Sequence, residues 1–370
     1  MCNCALFTST TPAPGLAQTD TPTDVQTFYS HGMRWQRLQL VDGPEAPAAL
    51  FGADAIADTV DSPEFAGLTF YVIHAKSIIN RVPAESRVPF RYTVNPYRGC
   101  SHACTYCFAR KTHEYLNLGT GADFDSKVIV KANAGRLLRR ELAKPSWRGE
   151  AIAMGTNVDC YQRAEGRYRL MPAIIEALRD AANPFSILTK GTLILRDLEL
   201  LRQAASVTQV STAVSVSMNN LPLWRSIEPG TPRPGARLAV CEKLNAAGIE
   251  CSVLLAPILP FLTDSPEQLR TMVSACADAG ATAVTPIVLH LRSGAREWFL
   301  KWLWREYPGL VADYQLLYSG GSYADKEYQA HVSGMVNDLA AEYGIPQRVH
   351  RPQPPPRPEP EVEIPQPTLF

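Results

Sequence analysis

Three cysteines fall within eight residues of this chain, in the segment Asn95-Pro-Tyr-Arg-Gly-Cys100-Ser-His-Ala-Cys104-Thr-Tyr-Cys107-Phe. Thiolates at C-x3-C-x2-C spacing, just past a strand-like stretch, suit three corners of a 4Fe-4S cubane and leave the fourth iron without a protein ligand. Such an open iron is where a small chelating molecule can bind and accept an electron. Structural zinc is the alternative, but it wants four protein ligands, usually in two pairs. Here the fourth would have to be His102 or His113, and no second cysteine pair follows.

The other six of the nine cysteines carry less chemistry. Cys241, Cys251 and Cys276 sit in apolar helix or strand patterns and read as small core residues. Cys2 and Cys4 open a Thr/Pro-rich start, and Cys160 follows a strand end. This is not the spacing of a secreted disulfide scaffold. The first twenty residues lack a basic and then apolar leader, and no apolar run approaches the ~18 residues of a membrane span. A cytoplasmic protein without a membrane segment is expected.

With 370 residues, 46% apolar and 19% charged, the chain can bury a large core. Its formal net charge of +0 gives no global attraction to nucleic acid. Basic residues nonetheless gather from Lys76 through Arg98 to Lys111, flanking the cysteines, where they would suit a phosphate-bearing substrate or a solvated face. A second basic stretch, Lys131 to Arg148, reads as a solvated helix face.

Strand and helix patterns alternate from residue 91. Strands are expected at Arg91–Asn95, Glu150–Met154, Pro184–Thr189, Val210–Ser217, Glu250–Ala256 and Ala283–Leu289. Between them lie helices at Ala134–Ala143, Leu170–Ala182, Leu195–Ala205, Pro234–Ala247 and Pro266–Ala279, the last capped by Ser265. Six strand–helix units over about 200 residues fall short of the ~250 of a closed eight-fold barrel. The expected fold is α/β, a partial (β/α)6 TIM-like barrel, with an N-terminal extension and a helical C-terminal segment. The division is a disordered start at 1–27, an extension at 28–90 with strand-like stretches at Arg34–Leu40 and Leu68–Ile73, a barrel core at 91–292, a helical segment at 293–346 and a Pro-rich tail at 347–370. Trp298, Trp302 and Tyr307 in the helical segment read as core contacts.

The cysteine loop, with Tyr106 before the last cysteine, resembles the radical S-adenosylmethionine (SAM) superfamily. The wider strings Asn95-Pro-Tyr-Arg-Gly-Cys100, Cys107-Phe-Ala-Arg110 and Thr112-His-Glu-Tyr115 resemble its spore photoproduct lyase-like branch, over roughly residues 74–345. The resemblance implies a radical SAM enzyme with a 4Fe-4S cluster on Cys100, Cys104 and Cys107. SAM at the open iron would be cleaved reductively to a 5′-deoxyadenosyl radical that abstracts hydrogen from a substrate. By position, the backbone around Tyr106 would face the adenine. Asp159, helped by Asn157, would meet the SAM amino group, Lys190 its carboxylate, and Ser217 and Asn219 its ribose or methionyl part. A flavodoxin or ferredoxin would supply the electron.

Two positions depart from the lyase. Its hydrogen-donor cysteine aligns with Thr156, and the tyrosine after its last cluster cysteine is Phe108. Both argue against reversal of a thymine photoproduct. Cys160 is then the candidate hydrogen donor, or a packed core thiol. The branch implies a nucleic-acid or nucleotide-like substrate. A protein or small-metabolite substrate, and a non-catalytic metal module tethered to DNA-maintenance machinery, are the alternatives. The sequence Gln366-Pro-Thr-Leu-Phe370 resembles peptides that dock on the bacterial sliding clamp, with Leu369 and Phe370 as apolar anchors after a proline spacer.

Overall fold

The computed structural model describes residues 56–61, 67–86 and 88–346. The first strand-like stretch of the extension, Arg34–Leu40, and the whole Pro-rich tail lie outside them. Eleven strands are described: β1 (Ile56–Asp61), β2 (Thr69–Ile73), β3 (Ile79–Arg81), β4 (Tyr92–Val94), β5 (Tyr97–Arg98), β6 (Lys127–Lys131), β7 (Ile152–Met154), β8 (Phe185–Thr189), β9 (Val210–Val216), β10 (Cys251–Ile258) and β11 (Val284–Val288).

Six of them, β4, β7, β8, β9, β10 and β11, run parallel in sequence order, and β3 adds an antiparallel edge beside β4. The barrel is therefore partial, with β11 and β3 as its two edges. Strands covered on both faces need apolar side chains throughout, and β7 is buried at all three positions while β10 has only two half-buried ones. Helices at Leu170–Asp180, Leu198–Ala205, Pro234–Ala246 and Pro266–Asp278 return the chain between strands. The last carries a full capping box from Ser265 and Gln268. Cys241, Cys251 and Cys276 are packed in the core as expected.

The strand-like stretch Leu68–Ile73 forms β2, part of a second, four-stranded sheet in the order β1-β2-β6-β5 whose other strands were not legible in the sequence. Its strand β6 overturns one expectation: Lys131 ends a strand and is half-buried, rather than lying on a solvated helix face. The alternation of β6 explains why the sheet is two-sided. Val128 and Val130 join the main core, whereas Ile129 packs with Ile73, Leu116 and Leu118 in a separate small cluster.

The C-terminal helix Ala295–Glu306 leans on the segment that follows the cysteines. Trp298 lies so close to Gly121 that a Cβ there would come within 2.8 Å of its ring. Trp302 is buried and donates its indole N–H to Ser226 Oγ at 2.9 Å. These aromatics close the structure, as their pattern implied. Among the described residues no helix is long and apolar enough to cross a membrane.

Candidate functional site

The cysteine loop leaves β5 and is tied down on every side by its backbone. Gly99 takes φ +80°, and a Cβ would sit 2.6 Å from the Lys127 carbonyl oxygen, so only glycine fits this entry. Gln162, after β7, accepts from Ser101 N–H and donates to the Gly99 carbonyl, both at 2.9 Å. Thr105 N–H donates to the Ile227 carbonyl at 3.0 Å, and Gly230 N–H to the His102 carbonyl at 3.1 Å. Gly230 packs flat on the loop: its Cβ would lie 2.0 Å from the Ser101 carbonyl oxygen.

Arg110 braces the loop from below. Fully buried, it donates to the Cys104 carbonyl, to the carbonyls of Thr120 and Gly121, and to Asp125 at 2.8 Å. Its guanidinium lies 5.3 Å from the Phe124 ring and 5.1 Å from Trp298. This arginine belongs to the basic stretch read as facing a substrate or solvent. The structure corrects that for Arg110, whose charge is spent on architecture.

All three thiols are free, with Cys100 and Cys104 buried and Cys107 half-buried. Burial pushes all three above the usual thiol range. Iron ligation requires thiolates, so loading the loop must release protons. Among the described residues no three His, Cys, Asp or Glu side chains converge on a point that would hold a single metal ion. A cubane needs no such point, because each thiolate binds a different iron. The donor set therefore fits a three-cysteine cluster.

The carboxyl ends of the parallel strands bring the other expected residues around this loop, as ligand sites of such sheets require. Asp159, after β7, accepts from Tyr161 N–H at 2.8 Å, from Thr189 Oγ1 at 2.7 Å and from Lys190 N–H at 2.6 Å, and lies 3.4 Å from His102 Nδ1. It stitches the ends of β7 and β8 to the loop. Asn157 is half-buried beside it. Lys190, after β8, donates to Ser215 Oγ at 2.6 Å and to the Ala256 carbonyl at 3.4 Å, and sits 5.9 Å from the Tyr106 ring. Ser217 is buried at the end of β9, whereas Asn219 just beyond is exposed. Cys160 is fully buried in the core behind the loop, the placement of a packing residue.

The hub of the site is a residue the sequence reading missed. Glu228 is fully buried and accepts from Tyr106 OH, from Ser217 Oγ at 2.8 Å, and from Arg237, with Lys190 Nζ 3.5 Å away. Burial alone would raise its pKa. The charges of Arg237 and Lys190, with the bonds from Arg237 and Tyr106, outweigh burial and hold the carboxyl well below the usual glutamate range. Arg237 also donates to the carbonyls of Pro232 and Ser215 and to Thr231 Oγ1, so four of its five N–H groups are engaged. Nothing local in Ile227-Glu228-Pro229 marks this role, since the partners come from four separate segments.

A family model for the radical SAM superfamily matches residues 94–273, from β4 into the helix after β10. These residues form a radical SAM domain. An uncharacterized protein of Mycobacterium tuberculosis is 50% identical over 326 residues, covering 87% of this chain and 96% of its own length. An uncharacterized protein of Methanocaldococcus jannaschii is 32% identical over 195 residues, 52% of this chain and 68% of that protein. Spore photoproduct lyase in complex with a dinucleoside spore photoproduct shares the fold, with a TM-score of 0.56 at 15% identity, over 74% of this chain and 79% of the lyase. The protein is thus a radical SAM enzyme whose cofactors are a 4Fe-4S cluster and SAM.

Proposed function

We propose that this enzyme abstracts hydrogen from a nucleic-acid or nucleotide-like substrate bound over the cysteine loop. The observation that carries the reading is a stacking surface at the mouth of the barrel. Phe108, next to Cys107, is 45% exposed, and the Arg292 guanidinium lies 5.6 Å from its ring. Arg292 also donates to Tyr323 OH at 3.2 Å, and the Tyr323 ring, 47% exposed, meets His290 edge-on at 4.5 Å. Exposed aromatic faces beside an arginine suit a base and its phosphate, because every base has a π-face and the cation offers charge.

Cys100, Cys104 and Cys107 hold the cluster, whose chemistry with SAM, fed by a flavodoxin or ferredoxin, is one-electron cleavage and hydrogen abstraction. Lys190 is the cation toward the SAM carboxylate, and Asn157, Ser217 and Asn219 offer polar groups around it. Asp159, the residue expected to meet the SAM amino group, acts through its hold on Lys190 and His102. Tyr106 and Glu228 fix the wall of the pocket. Phe108 and Thr156 stand where the lyase's relay groups align, so the reaction differs from thymine-photoproduct reversal. Within the same reading, Gln366–Phe370, outside the described residues, dock the enzyme on a sliding clamp. Loss of clamp binding on deleting residues 366–370 is the expected result.

The test uses dinucleotides deuterated at the sugar and base-methyl positions, with the reconstituted, reduced enzyme and SAM. Deuterium in 5′-deoxyadenosine, lost in Phe108→Ala with cluster content unchanged, is expected. Abortive SAM cleavage without deuterium transfer from any position would overturn the substrate class.

A further inference from the structure

The face of the small sheet turned from the main core carries a second cavity. Strand register places Arg98 opposite Ile129 and Ile73 opposite Lys131, so these four side chains share one face. They line a cavity of about 230 Å³ together with Lys76, Ser77 and Leu116. The cavity is graded. Ile73, Leu116 and Ile129 form a buried apolar floor, Arg98 and Lys131 are half-buried in the wall, and Lys76 and Ser77 stand exposed at the rim.

Three cations converge here and no carboxylate lines the cavity. Lys131 Nζ donates to the Asn95 carbonyl at 2.9 Å, its one described hydrogen bond. The guanidinium of Arg98 and the ammonium of Lys76 have no ion pair among the described residues. The nearby carboxylate of Glu141 is taken by the backbone N–H groups of Ile78 and Ile79. Burial and the Arg98 charge pull the Lys131 pKa down to about 8, outweighing the opposite pull of the Glu141 carboxylate. Half-buried like charges on neighbouring strands repel, and a fold carries such a group most readily where a bound anion offsets it.

We propose that this cavity binds a phosphate monoester whose organic part lies on the apolar floor. A dianion matches the charge of Arg98 and Lys131, guanidinium offers a planar fork to phosphate oxygens, and Lys76 and Ser77 close over the outer oxygen. A free nucleotide and the 5′-phosphorylated end of a strand present the same group. The site stands independently of the substrate at the barrel mouth.

Calorimetric titration of the reconstituted full chain, with SAM saturating so that its own pocket is filled, decides the point. Thymidine 5′-monophosphate and inorganic phosphate should bind, and thymidine should not. Lys131→Met and Arg98→Met should each weaken thymidylate about tenfold, the worth of one charge-assisted contact. Lys76→Gln, an exposed change that cannot unfold the sheet, should weaken it several-fold. A 5′-phosphorylated oligothymidylate binding tighter than the mononucleotide identifies a strand end as the ligand, and the reverse order a free metabolite. Failure of both phosphates to bind at millimolar concentration, or affinity unchanged in Lys76→Gln and Lys131→Met, would overturn the proposal.

Discussion

Two basic regions of the molecule handle charge in opposite ways. Around the cysteine loop the two buried cations each have a carboxylate, Arg237 holding Glu228 and Arg110 holding Asp125, and half-buried Lys190 shares Glu228. In the cavity of the small sheet, Lys76, Arg98 and Lys131 have none among their lining residues. Paired charges hold the loop and strand ends in place whether or not a ligand is bound. Unpaired ones leave binding energy for an anion from outside.

The contrast can be broken by mutation, starting at the mouth. Glu228→Ala leaves Arg237 buried without a counter-charge, which typically costs about 3–5 kcal/mol. Anaerobic urea unfolding should show a loss of that size, and a change below about 1 kcal/mol would mean the hub is not structural. Glu228→Gln keeps the shape and loses the charge, so it should fall between the two.

Backbone fit comes next. Gly155, at the end of β7, takes φ +74°, and a Cβ would lie 1.7 Å from the Leu188 carbonyl oxygen. Gly155→Ala must displace β8 and with it Lys190, so both stability and SAM binding should fall, by about 2 kcal/mol or more in stability. Equal SAM affinity in the variant, measured by equilibrium dialysis, would uncouple this strand end from the pocket.

A pH experiment sharpens the comparison further. Glu228 has a depressed folded pKa, so its stabilisation is fully present above the ordinary glutamate value of about 4.3 and is lost as pH falls below it. Lys131 is depressed as well, which for a base marks a charge the fold disfavours: its folded value of about 8 lies below its unfolded one, so the unfolded chain binds more protons in between. Stability should therefore rise with pH from about 8 toward 10, and Lys131→Met should remove that slope. The smallest effect is expected at neutral pH, where Arg98→Met should leave stability within about 1 kcal/mol or raise it at low salt. A large loss there would show that the cavity cations are braces after all.

The six parallel strands and their helices were legible because continuous apolar runs separated by capped helices have few other solutions. Cys100, Cys104 and Cys107 were legible because their spacing is local. Of the second sheet β2 was legible from its apolar run, and the rest was hidden by its dimensions: β5 has two residues, and Lys127-Val-Ile-Val-Lys131 carries lysines at both ends that mask a strand as a basic patch. Glu228 was hidden for a different reason. A buried carboxylate is defined by partners brought from Tyr106, Lys190, Ser217 and Arg237, and no window of sequence contains them all. Arg110 shows the same limit in reverse, an arginine counted toward the surface charge that turned out to be fully buried.

The central claim is that the loop carries a cluster open to SAM, and one measurement reaches it directly. The chain is reconstituted anaerobically with iron and sulfide, reduced, and mixed with SAM. Broad absorbance near ~400 nm and release of 5′-deoxyadenosine are expected, both lost in Cys100→Ala, Cys104→Ala and Cys107→Ala. Stoichiometric zinc with no 5′-deoxyadenosine, or nucleoside release that survives replacement of these cysteines, would contradict the account.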